Sequence, residues 1–128
     1  MRKSTLAIVH ATLLVSLAAT ARAASPVLFL DRCAAGCAYG PGSDDSRTNT
    51  SSLSSGTSTL SAFAHGDASF DAVVACVRDT FAPFAIEVTD VDPGGADHFE
   101  VAVAGTSQQL GLPSGIANVS PVTCLNDG

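Results

Sequence analysis

Phe70, Val73, Val74, Val77 and Phe81 recur at a spacing that lines them up on one stripe of a helix. A stripe of this width has to be buried, so whatever surrounds it must supply an apolar surface of matching length. Pro83 stops the helix, and Asp67 or Ser69 can cap its start. The residues that follow change period from 3.6 to 2: Phe84, Ile86 and Val88 share one face of a strand, with Ala85, Glu87 and Thr89 on the other. Phe99, Val101 and Val103 repeat that alternation in a strand over 98–104 that ends at Gly105. Upstream, PVLFLD at 26–31 is a continuous apolar run, the pattern of a strand covered on both faces.

These elements define an α/β fold: a small mixed sheet of at least three strands with one main helix packed on it. The strand at 26–31, the helix and the strand at 84–89 suit a right-handed crossover between parallel strands. The turn DVDPGGAD makes a hairpin between 84–89 and 98–104 the simplest pairing. Twelve of the nineteen residues from Ser43 to Ser61 are Ser or Thr, which reads as an irregular surface loop. Asp44, Asp45 and Asn49 within it offer oxygen atoms, but without the regular ligand spacing of a calcium loop. Residues after Gly105 keep no period and read as an extended loop.

The amino-terminal segment is expected to leave before folding. Arg2 and Lys3 precede the apolar run Leu6–Ala21, and Ala21-Arg22-Ala23 places small residues where a signal peptidase reads, so residues 1–23 read as a signal peptide. The run is short for a bilayer-crossing helix, for which ~20 residues are needed, and His10 interrupts it. Export to the periplasm or beyond follows as the expectation, with 24–128 forming a single small domain. Of the six basic residues, Arg2, Lys3 and Arg22 would go with the signal, leaving three Arg against twelve acidic residues, a net charge of −9. A chain with so few cations is poorly suited to neutralise phosphates, which argues against nucleic acid and anionic membranes as partners.

Cys33, Cys37, Cys76 and Cys124 all lie in the exported part, and an even count there reads as two disulfides with three possible connectivities. Cys33–Cys37 with Cys76–Cys124 is the preferred pairing: the first clips a local loop, and the second staples the helix to the chain end, worth ~4 kcal/mol in a chain-entropy model. The spacing of CAAGC also suits two zinc ligands, but no matching pair lies nearby.

Catalytic patterns are sparse. The exported part has His65 and His98, no G-x-S-x-G elbow and no H-E-x-x-H helix. His98 and Glu100 share a strand face and read as a surface pair; His65, just before Gly66-Asp67, reads as a loop residue. The sequence therefore nominates no catalytic and no metal-binding residue.

The order VLFLDRC, DDSRTNTS, CVRDTFAPFAIEVTDVDPGGADHFEVAVAG and QLGLPSGIANVSPVTC resembles the N-terminal part of a family of secreted metalloprotease-like proteins from soil bacteria, related to the metzincins, over nearly all of residues 26–124. The resemblance implies a sheet-and-helix half that precedes a zinc-binding helix, with an edge strand that aligns a peptide or protein substrate. It would place the zinc helix beyond Gly128, so zinc is expected only with that further half. No zinc ligand or catalytic Glu carries over to Glu87, Glu100 or His98. The expected function is the N-terminal portion of a secreted zinc peptidase-like protein, not competent by itself. The alternative is a self-contained, disulfide-braced secreted protein that binds a partner or has a structural role.

Overall fold

A computed structural model describes residues 25–121. The predicted signal segment and Cys124 lie outside the described residues. The strands are β1 (Val27–Asp31), β2 (Cys37–Pro41), β3 (Thr50–Ser51), β4 (Ser58–Leu60), β5 (Glu87–Thr89) and β6 (Phe99–Ala102). One helix, α1 (Asp67–Phe81), lies between β4 and β5, and a short 3-10 helix spans Ser107–Leu110. The result is a small mixed α/β fold of two three-stranded sheets and one helix.

The main sheet has the order β5-β1-β6, and both outer strands run parallel to β1. The expected hairpin between the last two strands is therefore corrected: β5 and β6 lie on opposite edges of β1. Residues 90–98 carry the chain from one edge to the other. The DPGG turn does form, with the Gly94 N–H donating to Asp92 Oδ1 at 2.7 Å, but it bends this crossing instead of joining adjacent strands. The physical reason lies in β1, whose run is apolar on both faces, the pattern of a central strand that pairs its backbone on each edge. Val27 pairs with Glu87 and Leu28 with Val88, while Leu28 also pairs with Phe99 and Leu30 with Val101.

Alternation along β1 divides the core. Leu30 joins Phe70 and Val74 in a buried cluster under α1, with Leu28, Phe63, Val77, Val88 and Val103 packed around it. The helical stripe thus meets the face it requires, although only Phe70 and Val74 are fully buried. Phe29 points the other way, edge-on to the His98 ring at 6.0 Å. A second cluster, Cys33, Cys37 and Leu60 with Tyr39, Ala102, Ala104 and Leu110 around it, joins the main sheet to the smaller one.

Four local expectations change. The helix is capped by Gly66 at φ 78° with no side-chain cap; Asp67 instead accepts a 2.6 Å hydrogen bond from Arg32 Nη2, and its charge still suits the positive end of the helix. The strand at 84–89 starts only at Glu87, because the chain keeps turning past Pro83: the Phe84 N–H donates to Phe81 O at 2.9 Å and Phe84 stays 60% exposed. The Ser/Thr-rich segment contains two strands, β3 and β4, which flank β2 in a second sheet, β3 parallel and β4 antiparallel to it. Its turn is held by Asp44, which accepts from Ser51 Oγ at 3.0 Å and from the Ser52 N–H and Oγ at 2.9 Å each. After Gly105 the chain forms the 3-10 helix, closed by a Thr106/Gln109 capping box and by Gly111 in the left-handed region.

Cys33 and Cys37 are joined in a disulfide, with a Cα–Cα separation of 5.0 Å. Asp31 shapes the turn it closes: Oδ1 accepts the Cys33 N–H at 2.7 Å. Cys76 is exposed on α1, and its proposed partner Cys124 lies outside the described residues. Among the described residues no helix is long and apolar enough to cross a membrane.

Candidate functional site

The strand β6 pairs with β1 along one edge and, among the described residues, with no strand along the other. The Val103 N–H donates to Asp31 O at 2.8 Å, so the odd-numbered residues here direct their amides to β1. Backbone groups alternate along a strand, which turns the N–H and C=O of Glu100 and Ala102 outward. This strand borders an open groove of about 670 Å³, lined also by Leu60, Leu110, Ile116, Val119 and Pro121.

A polar cluster stands at the base of this strand, and it corrects the reading of His98 and Glu100 as a surface pair. The His98 residue is 3% exposed and the Glu100 side chain 9%. His98 Nδ1 lies 2.7 Å from Ala96 O; a carbonyl only accepts, so this nitrogen carries the proton. Its Nε2 faces Glu100 Oε2 at 3.9 Å, and the His98 carbonyl accepts from Ser46 Oγ at 2.5 Å. The Tyr39 hydroxyl donates to Glu100 Oε1. Tyr39 of β2 and Ser46 of the loop that follows it thus cover this segment, a long-range contact invisible to local periodicity. Tyr39 is the member of this cluster that the sequence reading missed; its one clue was being the only tyrosine in the chain.

Burial raises the Glu100 carboxyl above the usual carboxylate range, against the Tyr39 hydrogen bond that lowers it; nearby Asp31 and Asp92 raise it further, while His98 lowers it. Burial also pushes the Tyr39 hydroxyl well above its ordinary range, reinforced by Glu100 and Asp31, so it remains a donor. A raised native carboxyl holds its proton to higher pH than the unfolded chain does. The Glu100 contribution to stability is then fully present below the ordinary Glu range and is lost as pH rises through the native value. Urea unfolding from acidic to neutral pH should show this loss, and Glu100→Gln should flatten it. An unchanged slope in the variant would assign the pH dependence elsewhere.

Of the other residues weighed from the sequence, Asp44 and Asp45 line the groove and His65 does not. His65 is exposed at the mouth of α1, edge-on to Phe63 at 5.3 Å. Asp45 is engaged by Arg47, whose guanidinium also reaches Asp97, each at 3.1 Å. Asp44 is held by Ser51 and Ser52, which together with Asp45's ion pair leaves no calcium-type cage. Asp31, Cys33 and Cys37 bring three potential metal donors within 4.8 Å of one another. Both sulfurs are already spent in the disulfide. Asp31 Oδ2 rests 2.8 Å from Cys37 Sγ, but a bridged sulfur has no proton to donate, so this contact is not a thiol hydrogen bond. The described residues therefore do not fit a catalytic zinc, which takes three protein ligands and an open position.

The chain matches no protein-family model, no curated protein and no solved structure. Its class is carried by what the fold and groove define: a small mixed α/β domain with an unpaired edge strand beside a partly apolar groove.

Proposed function

We propose that this chain is the substrate-holding, N-terminal portion of a secreted zinc metalloprotease-like protein, which binds an extended peptide by strand addition to β6 and does not cleave it unaided. The observation that supports this reading is the outward row of Glu100 and Ala102 backbone groups on the strand that borders the groove. Main-chain hydrogen bonds at such an edge give affinity, and pockets for alternate side chains give selectivity. The Cys33–Cys37 disulfide fits an oxidising compartment. It also favours a second reading, a disulfide-braced secreted binding protein that needs no catalytic partner. Both readings place the peptide on β6.

The test is hydrogen exchange on the isolated, oxidised protein with and without an excess of short extended peptides, alongside zinc dialysis and mass spectrometry of the peptides. The expected result is slowed exchange at the Glu100 and Ala102 amides, no tightly held zinc and intact peptides. Ala102→Pro removes one outward donor without touching the amides that face β1, so it should abolish that protection while leaving the β1–β6 ladder in place. Unchanged exchange along β6 would defeat the strand-addition reading. Stoichiometric zinc with chelator-sensitive cleavage would defeat the non-catalytic one.

A further inference from the structure

The groove beside β6 has an uneven chemistry. Asp44, Asp45 and Glu100 line it, whereas no Lys or Arg does among the described residues. Much of the remaining wall is apolar, from Leu53, Leu60, Leu110, Ile116 and Val119. We propose that the groove selects extended peptides that carry a Lys or Arg side chain, seated toward Asp44 and Glu100, with small apolar residues on either side. This inference rests on strand addition to β6 and adds the class of peptide that would be chosen.

The three carboxylates contribute unequally. Burial raises Asp44, but the Ser52 N–H and the Ser52 and Ser51 hydroxyls outweigh it and hold this carboxyl below its ordinary range. It is therefore ionised at neutral pH in a fixed orientation, half-buried on the groove wall. Asp45 is ionised as well, held low chiefly by its hydrogen bond from Arg47, but that guanidinium cancels much of its field from outside the groove. Glu100 stands where a peptide side chain on β6 would pass, and an arriving cation would draw off the proton that burial favours. His98 faces Glu100 from the end of the 90–98 crossing, while Asp31 of β1 and Asp92 of that crossing add to the negative potential.

The experiment uses fluorescence anisotropy with three labelled peptides of one Val/Ala/Thr-rich sequence that differ at a central position: Arg, Gln or Glu. The Arg peptide should bind about tenfold tighter than the Gln peptide, as expected for a charge-assisted hydrogen bond, and the Glu peptide least. That advantage should shrink as salt rises from ~0.05 M to ~0.5 M. Asp44→Asn should lower the affinity for Arg while sparing that for Gln. Because Asp44 also anchors the Ser51–Ser52 turn, Glu100→Gln and the salt titration of the unaltered protein provide readings that do not depend on that turn. Equal binding of Arg and Gln peptides, or a salt-insensitive difference, would overturn the charge selection and leave strand addition standing. Failure of all three peptides to bind would overturn both.

Discussion

Phe70→Ala is expected to cost about 3–5 kcal/mol, the range for removing a buried aromatic ring from a packed core. Phe70 is 2% exposed, meets the Phe63 ring at 5.6 Å and carries Arg32 over its face at 5.1 Å. The cluster it belongs to has just Leu30 and Val74 as its other fully buried members, so little remains to collapse into the space left behind. Domains of this size are typically stable by only ~5–15 kcal/mol, and the variant should be partly unfolded at 37 °C. Phe84→Ala is the matched control: its ring is 60% exposed, and its loss should stay within about 1 kcal/mol. Urea titrations followed by circular dichroism separate the two. Similar midpoints would mean that the α1 face is not the main source of stability.

Gly105→Ala comes next in size. Gly105 has a φ of +65°, and a Cβ there would lie 2.8 Å from Leu60 Cβ, Leu60 Cδ2 and Gln109 Oε1. Two costs therefore coincide: roughly 1–2 kcal/mol for the left-handed backbone and roughly 1–3 kcal/mol for overpacking against a buried leucine. Gln109 cannot retreat cheaply, since its Oε1 accepts the N–H groups of Thr106 at 2.9 Å and Ser61 at 3.2 Å. The combined loss should be about 2–5 kcal/mol. Gly115→Ala provides the comparison, because Gly115 shares the positive φ but has open space around it; its loss should stop at the backbone cost. Equal melting shifts for the two variants would show that the contact with Leu60 carries no weight.

The helix and β1 were legible because their signals are local: a 3.6-residue stripe that needs no knowledge of its partner, and an apolar run with no polar side. The second sheet was not, since β2 is the short mixed run CAYGP and the serines and threonines of β3 and β4 give no apolar alternation. What holds that segment is the Asp44 carboxylate reaching Ser51 and Ser52 and a pairing of Cys37 with Leu60. The shared face of His98 and Glu100 could be read from their spacing. Their burial could not, because the groups that cover them, Tyr39 of β2 and Ser46 of the loop after it, lie more than fifty positions away. The hairpin expectation failed for a related reason. The DPGG turn is locally suited to reversal, yet the demand of β1 for a partner on both edges outweighs that local preference.

The pairing of β1 has a kinetic consequence. Its two neighbours are recruited across about sixty and seventy residues of chain, Val27 with Glu87 and Leu28 with Phe99. A long loop must close before each ladder offers any return, so the closure entropy falls early. The central strand precedes both its neighbours in the chain and stays without them until Thr89 and Ala102 have emerged, so the main sheet is completed only when all of residues 27–102 are available. Such a topology favours slow folding, with VLFLD as the segment most in need of protection during the wait.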